Sequence, residues 1–186
     1  IITTDANGKA QTAAKSLSYG SYTVYELRAD ASIAAGDTYS GSSKLGSSIY
    51  ANNAGYLWKS GSQSFTITTD GQVATVNFSD TVLKGGVKVT KQDSATGSDP
   101  QAAAKFTGIR FAVVNNSAKE VIVGGTKIAK GQVALILTVG EDGTAQSAAE
   151  VLPYGTYDIY ELRKDATIAV GDTYAGSTKL GSSDRK

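Results

Sequence analysis

The chain has 186 residues, 40% hydrophobic and 19% charged, with a formal net charge of +1 and no Cys, His or Met. Without thiols or imidazoles the usual zinc, haem and iron–sulfur sites are excluded, as are Ser-His-Asp and Cys-His catalysis, and the near-neutral charge gives nucleic-acid binding little support. No apolar run approaches the roughly 20 residues of a membrane-spanning helix, and abundant Val, Ile, Tyr, Thr and Gly favour strands and turns.

Ile1–Thr4 reads as a strand, and Asp5-Ala6-Asn7-Gly8 as a tight hairpin turn, because Asn-Gly supplies the positive φ angles such turns need. Leu17–Tyr22 then leads into the alternating strand Tyr22–Arg28, on which Tyr22, Val24 and Glu26 share one face. If that face is the core, Glu26 points inward; otherwise it is a strand-end acid in solvent. Residues 30–53 are rich in Gly, Ser and Ala and long for a loop, so this stretch is either mobile or a contact surface. Its candidate ligand contacts are Asp37, Tyr39 and Lys44.

Tyr56-Leu57-Trp58 and Ser64–Thr68 read as strands, with Trp58 a packing residue. Asp70-Gly71 turns into a further strand, Val73–Asp80, where Val76 and Phe78 share a face with Asp80. Thr81–Gly86 is a short joint. Gly86–Asp93 resumes alternation, Val87, Val89 and Lys91 lying on one face. Ser94–Lys105 is a polar linker with Pro100 and a short helical turn at Gln101–Lys105. Phe106–Val114 is a strong strand ending in the turn Asn115-Asn116-Ser117, and Val121–Gly125 and Val133–Leu137 supply two more.

From Ile136 the sequence returns on itself. At an offset of 161 − 26 = 135, Ile1–Ser48 aligns with Ile136–Ser183, and 30 of the 48 pairs are identical. A period of this length is a domain rather than a solenoid turn. Glu26 is repeated as Glu161, the turn at Asn7-Gly8 as Asp142-Gly143, and the Gly/Ser stretch as 165–183, with Asp172, Tyr174 and Lys179 its candidate contacts. Such a near-verbatim return argues against slack. Short strands with turn signals every 8–15 residues indicate an all-β fold of β-sandwich modules.

Three stretches taken together, Phe78–Gly86, Gly86–Asp93 and Leu152–Glu161, resemble the Cna B-type (SpaA-like, prealbumin-like) domains of Gram-positive surface adhesins and pilins. In that family a module opens on a strand of the form G-x-V-x-V-x-K-x-D. It carries L-P-x-G-x-Y-x-x-x-E in the middle and closes on a strand ending in Asn or Asp. The resemblance spans essentially the whole chain and implies tandem Ig-like or prealbumin-like sandwiches. Residues 1–83 would be the C-terminal portion of one module, and 84–186 the N-terminal portion of the next.

The resemblance also implies a self-made isopeptide bond. Lys91 would be the nucleophile and Glu161 the proton shuttle of one module; Glu26 would be the shuttle and Asp80 the acceptor of the other. The residue types suit the chemistry. Burial among valines favours the neutral amine of a Lys and keeps a Glu protonated, so that it can hydrogen-bond the carbonyl under attack. Neither module holds all three groups, since the missing Lys falls at 91 − 135 = −44 and the missing acceptor at 80 + 135 = 215. A window on a longer tandem array is therefore expected, with strand exchange between identical subunits second. Copy number speaks against exchange, because 186 − 135 = 51 residues occur twice per chain.

The resulting expectation is a structural, non-enzymatic protein, extracellular and cell-surface or cell-wall associated. It would form a stalk, fibre or pilus-like filament of covalently braced modules, without cofactor or metal. Its partners would be neighbouring modules or identical subunits. The alternative is an adhesin whose loops grip a host protein or glycan. A hydrolase using Glu26 or Glu161 with Asp37 or Asp172 is a remote third.

Overall fold

A computed structural model describes residues 1–51, 55–102 and 104–183, and the protein is all-β, with no α-helix among the described residues. The strands are β1 (Gly20–Tyr25), β2 (Tyr56–Leu57), β3 (Ser62–Ile67), β4 (Thr81–Val82), β5 (Lys84–Gly85), β6 (Lys88–Thr90), β7 (Arg110–Asn115), β8 (Val121–Val123), β9 (Thr126–Ile128), β10 (Val133–Thr138), β11 (Thr144–Gln146), β12 (Leu152–Pro153) and β13 (Tyr157–Glu161). Their pairings are antiparallel. The chain divides into two compact units, Ile1–Val82 and Leu83–Lys186. The division falls within Thr81–Gly86, the short joint of the sequence. Each side is drawn into a ladder of its own unit, β4 with β2 and β5 with β12.

The second unit is organised on β7, the middle strand of a three-stranded sheet ordered β10-β7-β13. Side chains of a strand alternate between faces, and here both faces are covered. Phe111 and Val113 enter one core with Val121, Val123, Ile128, Leu137, Val139 and Leu152, while Ala112 and Val114 enter another with Val133, Leu162, Ala166 and Ile168. Val87 and Val89, on either side of Lys88, pack against the first core. The second core is closed by the Gly/Ser stretch itself, whose Tyr174 and Leu180 fold over the back of the sheet. Asn115, read from sequence as a turn residue, is fully buried. Its Nδ2 donates to the carbonyls of Lys119 and Ile128, and its Oδ1 accepts from the Ser117 N–H. A buried amide satisfied in this way ties the end of β7 to the β8–β9 hairpin. That hairpin turns on Gly124 and Gly125 at φ of 55° and 83°, where other residues are strained.

The first unit has two small ladders, β1 with β3 and β2 with β4, and its buried hydrophobics among the described residues are Ala51 and Ile67. The turn at Asp5–Gly8 forms, with the Gly8 N–H on Asp5 O at 3.0 Å, but the flanking strands expected from sequence do not. Their repeats in the second unit are β10 and β11, which are strands because they find β7 and β6 to pair with. A strand without a ladder partner leaves its backbone to solvent and gains nothing from extension. The same reason accounts for 73–80, expected as a strand and found irregular. The helical turn expected over Gln101–Lys105 includes Ala103, which lies outside the described residues. Among the described residues no helix is long and apolar enough to cross a membrane.

Candidate functional site

In the second unit, Val87 and Val89 bring β6 against the first core, and Lys91 continues their face one residue beyond the strand. Its N–H is held on Gly143 O at 2.9 Å. Glu161 ends β13 opposite Phe111 of β7, a residue of that same core. The two side chains meet at the rim, Lys91 Nζ to Glu161 Oε2 at 3.1 Å, each about 30% exposed. The sequence places Lys91 inward among valines; in the structure Val87, Val89 and Lys91 are all partly buried, with the valines packed against the core and the amine at its rim. An ion pair in such a setting contributes only about 0–1 kcal/mol, so stability alone is a weak reason for it.

In the first unit, β1 alternates as its sequence requires, Tyr22 and Val24 half-buried and Ser21, Thr23 and Tyr25 exposed. Glu26 follows on the half-buried face. Its backbone is pinned by Trp58, the residue after β2, whose indole Nε1 donates to Glu26 O at 3.1 Å. The Arg28 guanidinium lies over the Trp58 ring, 3.9 Å from its centroid, and donates to Ser48 O. Asp80 immediately precedes β4, which pairs with β2, so the same ladder positions the indole and the second acid.

The Glu26 and Asp80 carboxyl groups are hydrogen-bonded to each other, and burial together with the Asp80 charge pushes Glu26 up to about 7. Glu26 therefore holds a proton near neutrality and donates it to Asp80. Among the described residues no amide, hydroxyl or ammonium donor reaches the buried Asp80 Oδ1, and the hydrogen bond Asp80 shares is with the Glu26 carboxyl group. No Lys is ion-paired with Glu26 or Asp80 among the described residues. The four cross-link candidates are thus gathered two by two: Glu26 with Asp80, and Lys91 with Glu161.

The loop candidates are also gathered, but on each other. Lys44 Nζ lies 2.8 Å from Asp37 Oδ1, and Lys179 Nζ lies 2.6 Å from Asp172 Oδ1, the ammonium in each case holding the carboxyl below its ordinary range. Tyr39 stacks on Tyr25 with centroids 3.8 Å apart, and Tyr174 on Tyr160 at 4.2 Å. Asp37 and Asp172 face lysines, not the glutamates a glycosidase pair would need. Each loop is anchored by an acid the sequence reading passed over. Asp30 accepts from the N–H groups of Ser47 and Ser48, and Asp165 from those of Ser182 and Ser183. Gly46 and Gly181, at φ of 77° and 80°, make room for them, since a Cβ on either would overlap the neighbouring carboxylate. As far as Ala51 the stretch 30–53 is held by these hydrogen bonds; Asn52 and Asn53 lie outside the described residues. Its verbatim return was the available signal, and so was the lone Trp58.

Among the described residues no group of three or more acidic, His or Cys side chains is placed to hold a metal ion. No protein-family model matches the chain, and no match is found among curated proteins.

Proposed function

We propose that the chain is a length of structural protein built from tandem β-sandwich modules of Cna B-type character. Each complete module would be locked by an isopeptide bond between a Lys on its opening strand and an Asp or Asn on its closing strand. The observation that carries this reading is the double use of one position. Glu26 and Glu161 are the same residue of the 135-residue repeat, yet in one unit it meets Asp80 and in the other Lys91. A module containing both halves would set amine, shuttle acid and acceptor acid around one glutamate. A protonated Glu beside the acceptor carboxyl would then assist attack of the neutral amine on Asp Cγ. The C–N bond forms, the C–O bond breaks, and the oxygen leaves as water with protons from amine and acid.

Two details support the sandwich. Tyr22 and its repeat Tyr157 each donate from the phenol to a carbonyl four residues upstream, Ser18 O at 2.9 Å and Pro153 O at 2.8 Å, like the tyrosine corner of β-sandwich proteins. The central sheet is also covered on both faces. Covalent bracing without cysteine suits an extracellular, cell-surface or cell-wall filament, with neighbouring modules as partners. The adhesin alternative has less to draw on, because its candidate side chains are paired with one another.

The test is a chain in which residues 84–135 are joined ahead of Ile1 and the sequence ends after Leu83, giving one module with Lys91, Glu26 and Asp80. Its intact mass should fall one water short of the sequence mass, and Glu26→Ala should restore the full mass while leaving the fold. An unshifted mass in the folded module would remove the reading.

A further inference from the structure

We propose that the stacked tyrosines Tyr25–Tyr39 and Tyr160–Tyr174 are sites of oxidative cross-linking, each pair closing into a dityrosine when the chain meets a one-electron oxidant such as a peroxidase with hydrogen peroxide. The inference is independent of the isopeptide reading and draws on different residues.

The rings of Tyr25 and Tyr39 lie with centroids 3.8 Å apart and planes 19° from parallel, and those of Tyr160 and Tyr174 lie 4.2 Å apart and 18° from parallel. Aromatic pairs ordinarily settle with centroids about 4.5–7 Å apart, so both stacks are tighter than ring packing alone selects. Tyr25 ends β1 and Tyr160 lies in β13, while each partner comes from the Gly/Ser loop at the same distance along the chain, 39 − 25 = 174 − 160 = 14. The Asp30 and Asp165 caps and the two Lys–Asp pairs hold that loop in place. The segments packed around the two copies differ, yet the stack is the same in both, so the 48 repeated residues themselves set it.

One ring of each pair is open to a small oxidant, Tyr25 being 40% and Tyr160 39% exposed. Burial and the neighbouring phenol raise Tyr39 and Tyr174, so both are neutral at ordinary pH and lose a proton only with an electron. Each phenol of a pair gives one electron to the oxidant and its proton to water, leaving two phenoxyl radicals whose unpaired spin reaches the ortho carbons. Because the rings are already in contact, an ortho carbon of one joins an ortho carbon of the other without a diffusional encounter. The two ortho hydrogens then pass through solvent to the oxygens and restore both phenols, while the peroxide takes up two electrons and two protons and becomes two waters. Each closed pair is lighter by two hydrogen atoms, and a carbon–carbon bond fastens loop to strand in a chain that has no Cys. Tyr19, Tyr50, Tyr56 and Tyr154 are 41–80% exposed but stack on no other ring among the described residues, so their radicals find a partner only by collision.

The experiment treats the full 186-residue chain, dilute and at neutral pH, with a haem peroxidase and a limiting dose of hydrogen peroxide. Dityrosine fluorescence, intact mass and peptide mapping are followed. A monomer short of two hydrogens for each closed pair is expected, with junctions at Tyr25–Tyr39 and Tyr160–Tyr174 and a yield independent of chain concentration. Isopeptide formation loses water instead, so the two readings succeed or fail separately. Tyr25→Phe keeps a ring in the stack but removes the phenol, and should erase the first junction alone. Tyr160→Phe should erase the second alone, and the double variant should give no dityrosine within a monomer. Coupling solely between chains, dityrosine in the double variant's monomer, or a monomer that gains oxygen at Trp58 and loses no hydrogen would overturn the inference. A junction in only one unit would overturn the claim that the repeat itself sets the pair.

Discussion

Residues 1–48 and 136–183 are nearly the same text set in two surroundings, and what changes between them separates local from borrowed structure. The Asp-anchored loop is built alike in both. Asp30 and Asp165 hold the same pair of serine amides, Asp37 and Asp172 the same lysine, and a short 3-10 turn follows at Ser43–Leu45 and Thr178–Leu180. Burial is not alike. Leu162 is 2% exposed, packed within its own unit against Ala112, Val114 and Val133 of β7 and β10, whereas Leu27 is half-buried. Turn chemistry and carboxylate caps are satisfied within some twenty residues, whereas a core needs a second layer from elsewhere in the sequence.

The sharpest way to break this contrast is to cut the same side chain in each copy. Leu162→Ala should destabilise the second unit by about 2–5 kcal/mol, the range for opening a cavity in a packed core. Leu27→Ala should cost the first unit clearly less, since its site is already half open. Amide hydrogen exchange reports each unit separately, and Trp58, the lone tryptophan, reports the first by fluorescence. Equal losses would mean that the first unit holds a core of its own. Gly46→Ala and Gly181→Ala test the opposite half of the comparison. Both force a positive φ on a residue with a Cβ and push it into an aspartate, so each should cost about 1–3 kcal/mol, and by similar amounts. A large inequality would show that the loop depends on its surroundings after all.

The same contrast explains what could be read from the sequence. Strand periodicity located β1, β3, β7, β10 and β13, and the turn pairs at Asn7-Gly8 and Asp142-Gly143 were legible, because both signals are local. Strandedness at 1–4 and 73–80 was over-read, because a period of two shows only what a segment can do once a neighbour is present. The pairings of Glu26 with Asp80 and Lys91 with Glu161 were anticipated by the family resemblance and not by periodicity, which left Glu26 open between core and solvent. Trp58 looked like packing alone, and its hydrogen bond to Glu26 O joins residues 32 apart that no motif links. Asn115 was hidden for a related reason: a turn Asn and a buried, fully bonded Asn look the same in one dimension.

Acid titration gives a smaller difference between the units. Glu26 is raised from 4.5 to about 7 by burial and by Asp80. The folded first unit therefore binds more protons than the unfolded chain between those two values. Its stability is greatest below pH 4.5 as far as this group is concerned, and falls as the pH rises through about 7. The pair is only part-buried, so the change should be on the order of 1 kcal/mol. Glu26→Gln should flatten the profile of Trp58 fluorescence against pH. A profile unchanged by that substitution would mean that Glu26 is ionised at neutral pH, and with it would go the proton assigned to bond formation.

The smallest effect expected is at Lys44 and Lys179, and its size bears on what the loops are for. Each ammonium sits on an aspartate at 2.6–2.8 Å with its own side chain about half exposed. Exposed pairs of this kind contribute about 0.2–1 kcal/mol and weaken as salt screens them. Lys44→Ala and Lys179→Ala should therefore lower the stability of their units by matching small amounts, and the losses should shrink in high salt. The loop hydrogen bonds to Asp30 and Asp165 should persist in both variants, visible as unchanged exchange protection of Ser47, Ser48, Ser182 and Ser183. If either loop instead lost that protection, the lysine would be the anchor and the aspartate cap secondary. The two copies would then owe their likeness to charge pairing rather than to backbone capture.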